Sequence, residues 1–245
     1  MSLEYAYRPG TSETGQGGVA AVSAAQRVYD ALRRQIIGLE MPPGTVLARN
    51  ELTLRFGVSQ TPIREALQKL EQDGLVRIYP QSRTVVRRID VKQLYETHFL
   101  RVAVECEVVR RLAAAQRPDV IKRARAIVQM QNALVGDIAQ MDMYNDLDRT
   151  FHQTLYRGVG VGAIQELVGS KLGHLARCQR MELPKKGKMA DIVEAHTAIL
   201  EAIESGDPEA ADQAMRRHLS GTISRVDDLR AERPEYFTQD DNLYR

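Results

Sequence analysis

The chain has 245 residues, of which 43% are hydrophobic and 27% are charged, and its formal net charge at pH 7 is +2. These values are typical of a folded protein with one large or two modest domains. The two cysteines, Cys106 and Cys178, lie far apart in helical-looking sequence, which argues against a disulfide framework and a cysteine-ligated zinc site. Because no stretch approaches the roughly 18 apolar residues of a membrane span, we expect a cytoplasmic protein.

Positive charge is concentrated in one quarter of the chain. Residues 26–90 contain 11 Lys and Arg against 7 Asp and Glu, whereas residues 91–245 contain 22 against 23. This asymmetry indicates a polyanionic partner for the amino-terminal part, although the surplus is small by itself.

The first elements in chain order are an arm and two helices. Residues 1–24 are rich in Gly, Ser and Thr without a hydrophobic period, so they predict a flexible arm. A helical pattern then starts at Ala25 and is closed by "GLEMPPG". Asn50 is positioned to cap a short second helix, and Gly57 to end it in the left-handed conformation.

A third helix and a hairpin follow. The helix has Ile63, Leu67 and Leu70 at helical spacing and stops at Gly74. The β-forming runs "LVRIY" and "TVVRRI" are separated by the polar "PQSR", which predicts a hairpin with a four-residue tip. Three helices and a β-hairpin predict a winged helix-turn-helix over residues 25–90.

The remainder of the chain shows helical patterns and no strand signal. Short breaks separate the helical runs, and at one break Asp207 can cap a helix that begins with Pro208. The candidate helices span residues 91–115, 119–137, 141–158, 162–181, 189–205 and 208–231. We predict an all-α antiparallel helical bundle over residues 91–231, followed by a C-terminal tail at 232–245. The fold class is therefore mainly α.

The start of the third helix carries polar side chains that its folding does not need. Pro62 suits a first turn, with Ser59 or Thr61 as the cap, so the simplest interpretation is a well-capped helix. Gln60, Thr61 and Arg64 lie opposite the apolar face, however, at a terminus whose free amides favour phosphate. In a helix-turn-helix these positions enter the major groove, where Arg pairs with guanine and Gln with adenine.

Four residues of the second half predict a metal site. Asp148 and His152 are four residues apart and share one helix face, while His196 and His218 each replace an apolar residue on a helical stripe. One Asp and three His suit Zn²⁺, with Ni²⁺ or Mn²⁺ as alternatives. A single inward histidine is nevertheless more often a hydrogen-bonded core residue than a ligand, so the spacing alone leaves both interpretations open.

The segments "LRRQIIGLEMPPGTVL" and "ELTLRFGVSQTPIREALQKLEQDGLV", with the hairpin, resemble the winged-helix domain of the GntR family of bacterial transcription regulators. The resemblance covers about 65 residues. It implies DNA contacts from the second helix, the third helix and the wing tip, at Arg49 or Asn50, Ser59, Gln60, Thr61, Arg64 and Arg83. This chain departs from the family pattern at Gln60, where Arg is common, and at the tip, which lacks the usual glycine.

Residues 91–230 are similar to the FCD type of effector domain of the FadR subfamily of GntR regulators. The motifs are D-x-x-x-H, a histidine opening "HTAILEAIESGD", and M-x-x-H. The resemblance implies that Asp148, His152, His196 and His218 bind a metal that helps to hold a small carboxylate effector.

Other polar residues are assigned to the effector with less direct support. Arg101 matches a family arginine that faces the effector, and the alternative is an ion pair with Glu105 one turn away. Asn145, His174 and Arg177 are further candidates for the same cavity. The sequence does not distinguish a sugar acid from a short carboxylate.

The leading hypothesis is a homodimeric, ligand-responsive regulator, most simply a repressor, that binds a palindromic DNA operator. A second hypothesis joins the DNA-binding module to a metal-dependent hydrolase. It is weakened by the lack of an evident general acid or base beside the ligands. A third hypothesis gives the helical domain no role except dimerisation.

Overall fold

The computed structural model describes residues 22–80 and 83–239 of the chain. The amino-terminal unit consists of three helices and a small sheet, confirming the predicted winged helix-turn-helix architecture. Its elements are α1 (Ala24–Ile37), β1 (Val46–Leu47), α2 (Arg49–Phe56), α3 (Gln60–Gln72), β2 (Val76–Ile78) and β3 (Thr84–Val86).

Local sequence sets the ends of these helices. Ser23 caps α1, because its side-chain oxygen accepts a hydrogen bond from the backbone N–H of Gln26. Gly57 ends α2 in the left-handed conformation, with φ 63° and ψ 36°, as predicted. The predicted cap of α2 was wrong: Ala48 occupies the N-cap position, and Asn50 lies inside the first turn.

The sheet contains one strand that the sequence pattern did not predict. The predicted hairpin is present as β2 and β3, which pair antiparallel, although tip residues 81–82 lie outside the described residues. The additional strand β1 pairs antiparallel with β3, with Val46 opposite Val85, so the strand order is β1-β3-β2. A two-residue strand is too short to show an alternating pattern, and only its distant partner defines it.

One hydrophobic core holds this unit together. The apolar faces of α1 and α3 pack against each other and against the sheet. Ile63, Leu67 and Leu70, predicted from their helical spacing, are fully buried and meet Leu32 and Ile36 of α1. This packing fixes α3 from one side and leaves its opposite side exposed to solvent.

The carboxy-terminal unit is a helical bundle, in which α4 packs most extensively against α10. Its α-helices are α4 (Val91–Ala115), α5 (Pro118–Asn132), α6 (Met141–Gly158), α7 (Gly162–Lys171), α8 (Gly173–Glu182), α9 (Lys188–Glu204), α10 (Pro208–Ile223) and α11 (Val226–Glu232). Short 3₁₀ helices span Ile138–Gln140 and Pro234–Tyr236. None of the helices among the described residues is long and apolar enough to cross a membrane.

Two predicted helices are each divided in the structure. The run at 162–181 forms α7 and α8, and the run at 208–231 forms α10 and α11. At each break a backbone N–H donates to the carbonyl three residues earlier, as in a 3₁₀ turn. The bonds run from Leu172 N–H to the Gly169 carbonyl and from Arg225 N–H to the Thr222 carbonyl. The apolar period continues across each break, so the pattern alone did not reveal it.

The two units meet at a buried junction. Ile89, at the end of the wing, forms a parallel β-bridge with Phe237 of the C-terminal segment. Both side chains are buried in a separate apolar cluster with residues of α4, α8 and α11. Part of the predicted C-terminal tail is therefore packed structure, whereas residues 240–245, like residues 1–21 of the predicted arm, lie outside the described residues.

Candidate functional site

The first turns of α3 present an exposed polar surface, formed by Gln60, Thr61 and Arg64. Arg49 and Asn50, at the start of α2, are exposed as well. The side-chain amide of Gln60 donates a 2.9 Å hydrogen bond to Asn50 Oδ1, so the beginnings of the two helices form one continuous surface. An exposed surface of amide, hydroxyl and guanidinium groups at a helix N-terminus is chemically suited to bases and phosphates.

The surroundings of this surface refine the interpretation of Ser59 and Thr61. Ser59 occupies the N-cap position of α3, but its side chain makes no capping hydrogen bond, and Thr61 is already helical. Both hydroxyls are exposed. Helix capping therefore does not use either side chain, which leaves both available to an external partner.

The wing supplies one exposed cation beside its tip. The guanidinium of Arg83 lies 5.6 Å from the centre of the Tyr79 ring. The Tyr79 N–H donates a 2.8 Å hydrogen bond to the Arg83 carbonyl, which closes the hairpin below the tip. Arg83 is thus held on the wing, with its side chain in solvent.

Three histidines converge inside the bundle. His152 of α6, His196 of α9 and His218 of α10 place one ring nitrogen each within 4.8 Å of one another. The Nε2 atoms of His152 and His218 are 3.2 Å apart, and Asp148 Oδ1 lies 3.5 Å from Nε2 of His196. The structure therefore brings together all four residues that were predicted as metal ligands.

The opposite ring nitrogens are held by buried polar groups. Nδ1 of His152 lies 2.6 Å from Glu105 Oε2, and Nδ1 of His196 lies 2.9 Å from Gln131 Oε1. Since an amide oxygen only accepts hydrogen bonds, Nδ1 of His196 carries the proton in its contact with Gln131, and Nε2 of His196 presents a lone pair. This is the outer-shell arrangement that orients histidine ligands in metal sites. The contact of His152 with Glu105 has the distance of an ion pair but not the geometry of a hydrogen bond.

The inner atoms fit a cation. Nε2 of His196 is buried and makes no hydrogen bond to any described residue. Burial lowers the pKa of His196 and of His218 well below the usual histidine value, and the neighbouring histidines add to the effect. Neutral imidazoles whose ring nitrogens converge are suited to a divalent transition metal, and a cation would give the buried Nε2 of His196 the partner that the described residues do not supply.

Glu105 is a buried carboxylate that stays charged. Burial alone would raise its pKa, but Arg101 and His152 outweigh burial, and the pKa of Glu105 falls far below its ordinary value. Arg101 Nε lies 2.7 Å from Glu105 Oε1. The carboxylate therefore lies between the arginine and the histidine cluster and places a negative charge 2.6 Å from Nδ1 of His152.

A cavity of about 380 Å³ adjoins the histidine cluster. Its lining includes Asp148 and His152 from the cluster, together with Arg101 and Asn145. Arg101 is only 5% exposed, and both sequence interpretations apply to it, because it is paired with Glu105 and also faces the cavity. The cavity has the size of a small-molecule pocket and places a guanidinium beside the candidate metal site.

Sequence reasoning missed Tyr156. It lies four residues after His152 on α6, lines the cavity and is 2% exposed, and its hydroxyl makes no hydrogen bond within the described chain. Burial raises the pKa of Tyr156, so the hydroxyl stays protonated and can donate. A hydroxyl that lines the cavity and has no acceptor in the described chain is available to a water molecule or a ligand oxygen. The four-residue spacing from His152 was the available signal.

Two predicted effector residues lie elsewhere. His174 and Arg177 are buried on the face of α8 that meets the junction, whereas Ala176 and Gln179 on its other face line the cavity. Nδ1 of His174 accepts a hydrogen bond from Asp90 N–H. Arg177 donates from Nη1 to the Arg87 carbonyl at 2.6 Å. Because both side chains are engaged with the interdomain backbone, we withdraw them as effector residues and assign them to domain docking.

Comparison with known families matches both units. A model of the FCD domain matches residues 93–221, and a model described as bacterial regulatory proteins, gntR family, matches residues 24–86. An HTH-type transcriptional regulator in an unstable DNA locus of Streptomyces ambofaciens is 36% identical over 213 residues, covering 87% of this chain and 89% of the relative.

A second relative and a solved structure agree with these matches. The HTH-type transcriptional repressor RspR of Escherichia coli K12 is 30% identical over 219 residues, covering 88% of this chain and 94% of the repressor. The structure of E. coli McbR/YncC aligns with a TM-score of 0.69 at 19% identity, covering 85% of this chain and 99% of that one. The latter likeness concerns the fold alone.

Proposed function

The chain belongs to the GntR family of bacterial transcriptional regulators and carries an FCD domain, and from this premise we propose that it is a homodimeric repressor with a metal-assisted carboxylate site. The observation that carries the proposal is the convergence of three histidine nitrogens within 4.8 Å inside the bundle. DNA recognition and ligand recognition then lie in separate units of one chain.

The DNA-binding role assigns a function to each exposed polar residue at the start of α3. Arg64 and Gln60 read base edges in the major groove, and Ser59 and Thr61 donate to phosphate. On α2, Arg49 or Asn50 makes a further contact, and Arg83 on the wing binds phosphate or enters the minor groove. A two-fold dimer requires a palindromic operator whose half-sites are about one helical turn apart, or a multiple of it.

The metal role is supported by the charge and shape of the cluster. Asp148, His152, His196 and His218 would hold one divalent ion, with Zn²⁺ the first choice and Ni²⁺ or Mn²⁺ as alternatives. When bound, the ion supplies a Lewis-acidic positive centre at the inner end of the cavity. Gln131 keeps the imidazole of His196 in the tautomer that can bind it, and Glu105 places a negative charge beside His152.

The effector role is supported by the donors around the same cavity. Arg101 offers a guanidinium, Tyr156 an unpaired hydroxyl and Asn145 an amide along its wall. Such a donor set recognises the oxygens of a small carboxylate, either a sugar acid or a short carboxylic acid. An effector of a repressor must favour one dimer geometry over the other, because equal binding to both would not change DNA affinity.

Of the two other hypotheses, the hydrolase is set aside and the dimerisation-only bundle is kept. The family and its relatives are transcriptional regulators and not enzymes, so the hydrolase alternative is set aside. The hypothesis that the bundle only dimerises remains the competitor to the metal and effector roles. It predicts no specific metal uptake.

Metal analysis distinguishes a bundle that binds a metal from a bundle that only dimerises. Protein stripped with a chelator and reloaded with Zn²⁺, Ni²⁺ or Mn²⁺ should retain one ion per chain by elemental mass spectrometry and melt at a higher temperature. Small mono- and dicarboxylic acids should raise the melting temperature further, and more with metal than without. Retention of no ion after gel filtration would support the dimerisation-only hypothesis.

The DNA-binding proposal has an independent test. Footprinting on the protein's own promoter region should protect two symmetric half-sites, and sedimentation should give a dimer of the 27.5 kDa chain. A single asymmetric half-site, or a monomer that binds with full affinity, would contradict the palindromic model.

A further inference from the structure

The cavity beside the histidine cluster is not built from the bundle alone. Asp30, Arg33 and Arg34 of α1, in the DNA-binding unit, form part of its wall. Arg33 Nη2 also donates a 3.3 Å hydrogen bond to the carbonyl of Gly169 on α7. Helix α1 therefore covers one side of the cavity, and a molecule inside can touch both units.

The charges contributed by the bundle are already paired. Arg101 pairs with Glu105 at 2.7 Å. Two further pairs in the lining, Arg149 with Asp146 and Arg180 with Asp142, each have an N···O distance of 2.6 Å. The carboxylate of Asp148 faces the histidine cluster. Among the residues that the structure describes, each cation that the bundle adds to the lining therefore has an acidic partner.

The charges contributed by α1 are unbalanced. Arg34 is exposed, and its side chain makes no hydrogen bond or ion pair with any residue of the described ranges. Arg33 has the Gly169 carbonyl as its acceptor and no carboxylate partner in the described part of the chain. The single acid that α1 adds, Asp30, accepts a hydrogen bond from Gln26. Two guanidinium groups thus face the cavity against one carboxylate.

We propose that Arg34, assisted by Arg33, binds a second acidic group of the effector, so that the effector is a diacid held between the bundle and the DNA-binding unit. This inference rests on the proposed carboxylate site, where Arg101 and Tyr156 receive the first acidic group. A guanidinium without a partner at the cavity wall is suited to a carboxylate, which it binds through paired hydrogen bonds.

Contact with α1 would also allow the bound effector to change the affinity for DNA. A diacid that contacts α1 binds more tightly when α1 lies against α7 than when it does not. By linkage, if the effector changes the affinity for DNA through this contact, DNA changes the affinity for the effector by the same factor. A monoacid that occupies only the inner end of the cavity lacks the contact with α1, so its binding should change DNA affinity less.

Calorimetry on the Zn²⁺-loaded full chain tests the proposal with two matched pairs of acids, D-glucarate with D-gluconate and succinate with butyrate. In the wild type, the diacid of at least one pair should bind more tightly than its monoacid. Arg34→Ala should weaken the diacid about tenfold and the monoacid less than twofold. Arg34→Lys should recover part of the lost affinity, since it keeps the positive charge but lacks the paired N–H groups of the guanidinium.

Controls separate this inference from the function on which it rests. Arg123→Ala, which removes an exposed arginine on α5, should leave all four affinities unchanged. Monoacids that bind as tightly as diacids, or equal weakening of both by Arg34→Ala, would overturn the inference and leave the carboxylate site in place. No heat from any acid would overturn both. Loss of promoter affinity by Arg34→Ala without acid would assign Arg34 to DNA and overturn the inference.

Discussion

The proposed DNA-reading surface and the histidine cluster are built in opposite ways. Gln60, Thr61 and Arg64 lie within five positions of one helix, are exposed, and need few partners from their own chain. The converging nitrogens of His152, His196 and His218 come from three helices, and buried side chains from two more helices contact the opposite ring nitrogens of His152 and His196. An exposed surface that binds a polyanion can be formed by neighbouring residues of one helix. Buried polar groups, in contrast, need hydrogen-bond partners from several elements of the fold.

This contrast has a consequence for substitutions. A change on the exposed surface should alter binding and leave stability almost untouched. A change in the buried site should alter ligand affinity and stability together, because it leaves partners unpaired.

Replacing His196 by Ala should lower Zn²⁺ affinity more than about 100-fold, because it removes a ligand and leaves Asp148 and Gln131 without their imidazole partner. Competition with a chromogenic chelator measures the affinity. The matched control is His98→Gln, which alters the one histidine that neither joins the cluster nor contacts the junction. Equal metal affinity in wild type and His196→Ala would remove His196 from the site.

Replacing Arg64 by Ala should weaken operator binding by about 10- to 100-fold, through loss of a paired base or phosphate contact. The melting temperature should not change, because the side chain is exposed. Fluorescence anisotropy at fixed salt measures the affinity, with Arg123→Ala as the control. Recovery by Arg64→Lys would favour phosphate over guanine, and unchanged binding in Arg64→Ala would refute the assigned role.

The junction offers a pH test of the connection between the two regions. Burial, with the charges of Arg177 and Arg87, lowers the pKa of His174 to about 3, against about 6.5 in the unfolded chain. Between these values the unfolded state binds a proton that the folded state does not, so stability falls as pH falls below 6.5. At pH 5 the loss from His174 is about 2 kcal/mol relative to pH 7.

Urea unfolding in the presence of chelator at pH 7 and pH 5 measures this loss. His174→Gln can still accept from Asp90 N–H and does not titrate, so its loss between the two pH values should be smaller by about 2 kcal/mol. An identical pH dependence in the two proteins would show that His174 titrates normally in the folded state.

Replacing Gln131 by Leu should lower Zn²⁺ affinity about tenfold, because the Nδ1 proton of His196 loses its acceptor and the tautomer is no longer fixed. The effect should be smaller than that of His196→Ala, since the ligand itself remains. The same chelator competition measures it. An affinity equal to that of the wild type would assign Gln131 to packing alone.

Replacing Arg83 by Ala should weaken DNA binding less than tenfold for all sequences alike and reduce the salt dependence of log K by about one unit of slope. The reason is that an exposed arginine on the wing contacts phosphate without reading a base. Anisotropy on operator and scrambled duplexes at several salt concentrations measures both quantities. A loss restricted to the operator would instead assign Arg83 to the minor groove.

The local features of both sites could be predicted from sequence. The helical period placed Ile63 and Leu67 in the core and, by difference, Arg64 on the surface. The four-residue spacing of Asp148 and His152, and a histidine on each of two apolar stripes, predicted ligands that the fold brings together.

The features that sequence missed depend on distant partners. Glu105 and Gln131 reach the histidines from α4 and α5, and no local pattern links them to those residues. The wall formed by Arg33 and Arg34 depends on how two units dock, which no periodicity encodes. The position of His174 and Arg177 at the junction was missed for the same reason, because polar residues on a bundle helix suit a cavity and a junction equally well.

The pairing of Ile89 with Phe237 joins the end of the wing to nearly the last residue that the structure describes. During synthesis, the winged helix and most of the bundle leave the ribosome before Phe237 is made. The apolar cluster at the junction can be completed only after Phe237 has been made. A nascent chain that has not reached Phe237 would therefore lack the last of the contacts that fix the winged helix to the bundle, while the contacts made by α7 and α8 could already form.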